Sequence, residues 1–332
     1  MYSIYNEDFS NQYILETFDN RLTIIKNPQA FDLELCSIEV KRPIQVRKFF
    51  ISSNEQYIVI LTYTTTYVIS TLKLETGCAY LAMPYAVTGS FSPNGLYLAL
   101  LTRDAMMLYH CDPQTMKINN KSTSTLSPAV QHGDIAFSMD STIIYFGWNL
   151  WFCSYNIQTQ VETRVEQRFP IPPNGVGSLQ AIAVSPNGGQ VAVLFHVKQN
   201  YFRQSIVYAD ITKPPTPQNV LTTQLLEISS IFYANDNNIF LVNPTAWLKK
   251  WNPAEDLMTK SHLIASFFPP SPSELFIQES YDISWNVSRT FFKVIRYRHD
   301  HWTRQSRSVT YDLLEVDLIF MDDIKKLSST RI

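Results

Sequence analysis

Glycine and cysteine are scarce in this chain of 332 residues. Only nine glycines are present, which argues against a glycine-rich loop that cradles a phosphate group. The four cysteines (Cys36, Cys78, Cys111 and Cys153) form no C-x-x-C pair, so neither a zinc knuckle nor a thioredoxin-like motif is expected. Four cysteines cannot make a disulfide scaffold of a chain this long. We expect them to be reduced and packed as small hydrophobic side chains.

Charge and long hydrophobic runs are also limited. Charged residues make up 17% of the chain and the formal net charge is −2, which provides no general electrostatic reason to bind nucleic acid or an anionic membrane. The best apolar runs, Tyr57–Tyr63 and Leu96–Leu101, have the length of strands, so no membrane span is expected. The first residues show no basic region followed by an apolar stretch. We therefore expect an intracellular, cytoplasmic protein, with a nuclear location left open.

Motifs of common catalytic sites are missing. The chain contains no G-x-S-x-G nucleophile elbow, no G-x-x-x-x-G-K-[ST] phosphate loop and no H-E-x-x-H zinc motif. Carboxylates from different parts of the chain could still converge on one site, which a sequence does not reveal. The expectation is a protein that is not an enzyme and needs no cofactor.

Strand-forming residues are plentiful. Hydrophobic residues make up 45% of the chain and aromatic residues 13%, and Tyr, Phe, Ile, Val and Thr favour pleated, half-buried surfaces. The segment 89–112 shows a strand, a tight turn at Pro93–Gly95, a second strand, a short turn at Arg103-Asp104 and a third strand. Pro fixes φ for the turn and Gly accepts positive φ, so this segment is predicted to be a β-meander.

The same unit recurs along the chain. A bulky residue, a small polar residue and a turn precede an apolar strand, and the residue after the bulky one falls at positions 10, 52, 92, 138, 185, 234 and 286. Periods of about 40 to 50 residues with several strands each are typical of the blades of a β-propeller. Seven such units account for almost the whole chain. We expect one domain over residues 1–332, with approximate units at 1–44, 45–82, 83–128, 129–172, 173–225, 226–268 and 269–325.

The units resemble WD40 repeats. The dipeptides Tyr155-Asn156, Trp251-Asn252 and Tyr311-Asp312 resemble the aromatic-Asp pair that ends the third strand of such a repeat, and Leu74–Gly77 resembles the turn after it. Neither Gly-His nor Trp-Asp occurs. The resemblance implies an all-β fold, a seven-bladed β-propeller of four-stranded antiparallel blades that is held mainly by apolar packing. It leaves open whether residues 1–8 form the inner strand of the first blade or the outer strand of the last.

In propellers of this type, the turns between second and third strands share one face with the connections between blades. Two of these turns are predicted to be extended loops, at His196–Arg203 and Arg296–Arg307. Arg and aromatic residues there are typical of protein interfaces, because they combine stacking with several hydrogen-bond donors. Phe267 and Phe268 lie beside a proline-rich connection, which stiffens the chain. The candidate partner-binding residues are Arg103, Trp148, Tyr201, Arg203, Phe267, Phe268, Arg298, His299, His301, Trp302 and Arg304.

Other interpretations of these residues remain. The loops could be merely solvated hairpins, and Pro could simply end an outer strand and protect its edge. The arginines and Trp302 could also bind RNA. His299 and His301 alternate like metal ligands, but no third ligand is apparent and zinc requires three or four. The favoured hypothesis is a non-catalytic scaffold that binds other protein subunits, with its oligomeric state left open. The alternative is a propeller enzyme or small-ligand binder with its site in the central channel.

Overall fold

The computed structural model describes residues 2–5, 11–18, 21–28, 33–39, 45–71, 80–112, 117–127, 129–149, 151–165, 176–199, 202–211, 220–224, 228, 230–233, 239–243, 247–251, 253, 262–266, 277–285, 291–300, 309–317 and 324–331. The strands in these ranges form seven antiparallel sheets of four strands each. Every sheet uses consecutive strands in chain order, so each is a meander.

The first four sheets occupy the first half of the chain. Sheet 1 contains β1 (Tyr2–Tyr5), β2 (Asn11–Phe18), β3 (Arg21–Pro28) and β4 (Leu33–Glu39). Sheet 2 contains β5 (Val46–Ile51), β6 (Tyr57–Thr62), β7 (Thr65–Ser70) and β8 (Tyr80–Pro84). Sheet 3 contains β9 (Ala86–Phe91), β10 (Tyr97–Thr102), β11 (Ala105–Cys111) and β12 (Ile118–Thr125). Sheet 4 contains β13 (Gly133–Phe137), β14 (Ile143–Trp148), β15 (Trp151–Asn156) and β16 (Glu162–Val165).

The other three sheets follow the same plan. Sheet 5 contains β17 (Val176–Val184), β18 (Val191–Gln199), β19 (Phe202–Tyr208) and β20 (Val220–Gln224). Sheet 6 contains β21 (Ser230–Tyr233), β22 (Ile239–Asn243), β23 (Trp247–Trp251) and β24 (His262–Ser266). Sheet 7 contains β25 (Ile277–Trp285), β26 (Phe291–Asp300), β27 (Val309–Asp317) and β28 (Ile324–Arg331).

The first strands of the sheets lie side by side on the inside of a ring. Contacts join β1 to β5, β5 to β9, β9 to β13, β13 to β17 and β17 to β21, and β1 also contacts β25 of the last sheet. Because β1 pairs with β2, residues 2–5 form the inner strand of sheet 1 and not the outer strand of sheet 7. The first and last sheets therefore contact each other.

The two ends of each sheet form two different faces. Ala86 at the start of β9 pairs with Thr102 at the end of β10, so the connection into a sheet lies beside the turn between its second and third strands. The next connection lies there too, since the Leu126 and Val130 amides donate to the Asp104 and Arg103 carbonyls at 2.8 and 2.7 Å. We call this end the connector face. The opposite end carries the turns between first and second strands and is called the turn face.

The hydrophobic core lies between neighbouring sheets. Sheets 3 and 4, for example, enclose a cluster that includes Leu101, Leu108, Phe146 and Trp148, all without solvent exposure. Similar clusters lie between sheets 1 and 2, 2 and 3, 4 and 5, and 5 and 6. Burying apolar surface contributes about 25 cal/mol per Å². Packing between sheets therefore stabilises the ring, as the loss of the family's Gly-His and Trp-Asp pairs implied.

A serine organises the turn from first to second strand. The buried Ser92 carbonyl accepts from the Gly95 amide at 2.9 Å, and the Ser92 hydroxyl accepts from the Tyr97 amide at 2.9 Å and donates to Asn94 Oδ1 at 2.7 Å. Asn94 Oδ1 also accepts from the Leu96 amide at 3.0 Å. Gly95 has φ +71°, a backbone conformation that glycine adopts without strain. The repeated Ser-x-Asn pattern is thus a closed turn whose polar groups are satisfied by one another.

The same turn occurs in sheets 2, 4 and 5. It begins at Ser52, Ser138 and Ser185, and the residue two positions later is Asn54, Asp140 and Asn187. Each serine hydroxyl accepts an amide hydrogen from the residue five positions on, and the residue three positions on has positive φ. The motif therefore marks the same structural position in these sheets.

Some sequence predictions need correction. Tyr311-Asp312 lies near the start of β27, because β26 and β27 pair over nine residues; Tyr155-Asn156 and Trp251 do end third strands. The predicted loop His196–Arg203 is largely strand, since β18 continues to Gln199 and β19 begins at Phe202. The first part of the predicted loop Arg296–Arg307 is also strand, since β26 continues to Asp300, and residues 301–307 lie outside the described residues. In addition, β8 and β28 run past the unit ends predicted at 82 and 325, because their pairing with β7 and β27 continues.

Candidate interaction site on the connector face

Polar side chains meet where the first strands of sheets 2 to 5 begin. Lys48 Nζ donates to Thr88 Oγ1 at 3.2 Å and to the Gly89 carbonyl at 3.1 Å. Thr88 Oγ1 lies 3.5 Å from Asp134 Oδ1, to which it donates, and Asp134 Oδ2 accepts from the Ile182 amide at 2.9 Å. This chain of contacts crosses four sheets. It holds the ammonium and the carboxylate in fixed positions at the inner side of the ring.

These side chains share one place in the repeat. Lys48, Thr88 and Asp134 each stand four residues before the turn serine of their sheet. Gln180 stands one residue further from its serine, at the register shift between Leu179 and Ala181. In sheets 2 to 4 these equivalent positions on adjacent first strands lie side by side, so their side chains reach one another.

A cavity of about 260 Å³ lies among these residues. It is lined by Arg47, Lys48, Val87, Thr88, His132, Gly133, Asp134, Leu179 and Gln180. His132 precedes β13 and its carbonyl accepts from the Asn149 amide at 3.1 Å, which places it at the connector face. Two cations and one carboxylate among the lining residues leave the cavity with an excess of one positive formal charge. We call it the channel-mouth pocket.

Arg47 joins this pocket to the exposed surface. Its guanidinium carbon lies 5.2 Å from the ring centre of Tyr63 and 5.5 Å from that of Tyr85, and its Nη1 donates to the Tyr85 hydroxyl. Both distances are within the range of a cation–π contact. Tyr63 lies in the turn between β6 and β7 and is 57% exposed. Arg47, Tyr63 and Tyr85 are called the arginine–tyrosine cluster.

Close backbone approach at the pocket depends on Gly133. A Cβ atom at this position would lie 2.4 Å from the Gly147 carbonyl oxygen and 2.8 Å from Leu101 Cδ2. The absent side chain therefore allows β13 to pack against both its own sheet and sheet 3, which brings Asp134 next to Thr88.

The predicted site residues have different placements. Arg103 is exposed in the turn between β10 and β11 on the connector face. Arg203 lies in β19, and Arg298 and His299 lie in β26, where they pair with Thr310 and Val309 of β27. Tyr201, Phe267, Phe268, His301, Trp302 and Arg304 lie outside the described residues. The structure thus places Arg103 on the predicted surface and leaves most of the others as predictions.

The prediction for Trp148 requires correction. Its side chain has no solvent exposure and stacks between Phe146 and Trp151, with ring centres 6.1 Å away on either side. Strand β14 continues through Trp148, so this residue belongs to a strand that packs against its neighbours. The residue is a core residue of sheets 3 and 4 and offers no surface to a partner.

Sequence reasoning missed Arg47, Lys48, Tyr63, Tyr85 and Asp134. Arg47 and Lys48 lie in a short apolar strand, where two adjacent basic residues form no motif of a known site. Aligning the units on their turn serines would have shown charged residues at the same position in sheets 2 and 4. Tyr63 carried no signal, because a single tyrosine in a two-residue turn has no distinctive pattern.

Within the described part of the chain, no group of three or more His, Cys, Asp and Glu side chains is placed to hold a metal ion. Among the same residues, no helix is long and apolar enough to cross a membrane.

Comparison with known proteins finds similarity in structure alone. No family model matches the sequence, and no curated protein matches it. The solved structure of the Dos1 propeller superposes with a TM-score of 0.56 at 11% identity, covering 94% of this chain and 88% of the other. KlAtg21, solved in complex with the coiled coil of AgAtg16, superposes with a TM-score of 0.55 at 10% identity, covering 99% of this chain and 98% of the other.

The chain has the fold of a WD40-like β-propeller. The similarity spans nearly the full length of both neighbours, and the ring of four-stranded antiparallel sheets agrees with it. At 10–11% identity the likeness concerns the fold alone. The propeller predicted from the spacing of the turn motifs is confirmed.

Proposed function

We propose that this propeller is a non-catalytic scaffold that binds another protein through its connector face, as a cytoplasmic subunit of a larger complex. One observation carries the proposal: Arg47 is held against two tyrosines at this face, and Tyr63 is 57% exposed. Tyr and Arg are enriched among the residues that contribute most of the binding energy at protein interfaces. A preformed Arg–Tyr contact further lowers the entropy cost of ordering these side chains.

The neighbours support a protein partner. KlAtg21 was solved in complex with the coiled coil of another protein, which shows that a ring of this kind can bind a protein segment. The transfer to this chain is an argument from fold, so the connector-face residues carry the specific part of the proposal.

The experiment is affinity purification of the intact protein from its native cells, followed by mass spectrometry. Three forms are compared: the wild type, a connector-face variant (Tyr63→Ala with Arg103→Ala) and a turn-face control (Met139→Ser with Val161→Ser). Met139 and Val161 are 43% and 57% exposed, and both lie in turns at the opposite end of sheet 4. A stoichiometric partner retained by the control and lost by the connector-face variant is expected. Equal recovery with both variants would contradict the proposed face.

The candidate residues Arg298, Trp302 and Arg304 extend the same test. An Arg298/Trp302/Arg304 triple-alanine variant is predicted to weaken the association without unfolding the protein. If no form of the protein recovers a partner while all remain folded, the scaffold proposal fails. The alternative, a small ligand or substrate in the central channel, then becomes the leading hypothesis.

A further inference from the structure

The channel-mouth pocket has the size and polarity of a side-chain receptor. Its volume of about 260 Å³ lies just below the range of about 300–1,000 Å³ that is usual for small-molecule sites. It contains donors from Arg47 and Lys48 but only one carboxylate, Asp134. A small group with negative charge fits these properties better than an apolar or cationic one.

Both charges of the pocket wall are held in place. The Lys48 ammonium donates to Thr88 and Gly89 and lies 5.4 Å from the ring centre of Phe50. The Asp134 carboxylate accepts from Thr88 on one oxygen and from the Ile182 amide on the other. These contacts orient Asp134 along the wall and offset part of its charge. Both charged side chains therefore stay in fixed positions at the pocket wall.

The surroundings favour a peptide over a free ion. The arginine–tyrosine cluster borders the pocket, and its Tyr63 projects into solvent beside it. A free anion would use the pocket alone, whereas a residue within a chain places its neighbours against Tyr63 and Tyr85. The aromatic surface then contributes to binding along with the charge.

We propose that the pocket receives the carboxylate of an Asp or Glu side chain from an extended acidic segment of the protein partner. Arg47 and Lys48 form the positive side of the receptor, and the tyrosines contact the residues that flank the acid. This inference rests on the proposed function and names the chemistry of the partner.

Two substitutions should act in opposite directions. Lys48→Met keeps the length of the side chain and removes its charge, so it weakens binding of an acidic segment by about tenfold or more, as the loss of a charge-assisted contact does. Asp134→Asn keeps an acceptor for the Ile182 amide and removes the like charge, so it strengthens the same binding. A role of these residues in folding alone does not produce opposite effects.

The test selects a library of random dodecapeptides on the immobilised wild-type protein and measures the affinity of the selected peptides by fluorescence polarisation. Peptides that share an Asp or Glu, bind Lys48→Met about tenfold more weakly, bind Asp134→Asn more tightly and bind Val161→Ser unchanged are the expected result. Selected peptides without a shared acid, or with equal affinity for all variants, would overturn the inference and leave the scaffold proposal intact.

Two further outcomes would also contradict the proposed site for an acidic segment. Recovery of no peptide at all shows that the pocket does not accept an extended acidic segment, while the purification experiment judges the scaffold proposal separately. Inorganic phosphate and free glutamate, each at millimolar concentration, test whether the pocket binds a small anion by itself. If either alone stabilises the wild type against heat as much as the best peptide does, and this stabilisation is lost in Lys48→Met, the pocket is a site for small anions and the peptide assignment is wrong.

Discussion

The Asp134 carboxylate accepts a hydrogen bond from the backbone amide of Ile182, 2.9 Å away in the next sheet. Ile182 has no solvent exposure, so its amide has no access to water when the carboxylate is removed. An unsatisfied buried donor costs about 1–3 kcal/mol. Asp134 therefore joins two blades in addition to its place in the pocket.

Replacing Asp134 separates these two roles. Asp134→Ala is expected to lower the free energy of unfolding by about 1–3 kcal/mol, because the Ile182 amide loses its acceptor. Asp134→Asn retains an acceptor and should cost clearly less. Urea denaturation monitored by tryptophan fluorescence measures both. Equal losses for the two variants would show that the charge of Asp134, rather than its hydrogen bond to Ile182, matters for folding.

The turn serines provide a second prediction. Ser92 is fully buried and its hydroxyl both accepts from the Tyr97 amide and donates to Asn94. Ser92→Ala leaves the partly buried Tyr97 amide without this acceptor and is expected to lower the free energy of unfolding by about 1–3 kcal/mol. The matched control is Ser127→Ala, at an exposed serine on the connector face, which should change stability by less than about 0.5 kcal/mol. Similar effects of the two substitutions would contradict the role assigned to the turn.

Asp140 should make the fold sensitive to acid. Hydrogen bonds from the Ser138 hydroxyl and from the amide and hydroxyl of Thr142 lower the pKa of its carboxyl below the ordinary value. Because the folded-state pKa is the lower one, this contribution is present above the ordinary Asp pKa of about 4 and is lost as the pH falls through the folded-state pKa.

Asp140→Asn tests this pH dependence. Asn occupies the same place in three other turns, at Asn54, Asn94 and Asn187, so the variant should keep the turn. Its free energy of unfolding is expected to fall less steeply than that of the wild type as the pH is lowered below about 4. Urea titrations at a series of pH values measure the difference. Parallel curves of unfolding free energy against pH for the two proteins would contradict the role of Asp140 in acid sensitivity.

Two cysteines are predicted to be chemically inert in the folded protein. The thiols of Cys111 and Cys153 are buried, and burial raises the pKa of the Cys111 thiol to about 12. Thiolate is the reactive form, so alkylation of both should be slow until the protein unfolds. A timed iodoacetamide pulse with mass spectrometry of the peptides reports each site separately. Rapid labelling of Cys111 in native buffer, at the rate found in urea, would disagree with this burial.

Much of the fold was predictable from the sequence because one turn recurs in it. The Ser-x-Asn or Ser-x-Asp element closes on itself through local hydrogen bonds, so residues close in sequence determine its structure. The spacing of this turn therefore predicted repeated units, and repeated units of that length predicted a propeller. The ends of strands were less predictable, as Trp148 and Asp300 show, because strand length depends on how far the neighbouring strand continues to pair.

The candidate site was harder to predict for a different reason. Lys48, Thr88 and Asp134 are 40 and 46 residues apart in sequence, and no local pattern joins them. They meet only because equivalent positions of adjacent first strands lie side by side in the ring. Conversely, Trp148 looked like an exposed loop residue, yet it fills the space between two sheets. Exposure of an aromatic residue near a turn is determined by packing between blades, which a single sequence does not show.

Hydrogen–deuterium exchange of the purified complex tests most directly whether the connector face binds the partner. We predict that the partner slows exchange in the segments 61–66 and 101–106, which contain the turns of Tyr63 and Arg103, and around 132–134 at the pocket. Exchange in the turn-face segments 52–56, 92–96, 138–142 and 185–189 should remain unchanged. Protection confined to those turn-face segments, with none at the connector face, would contradict the account.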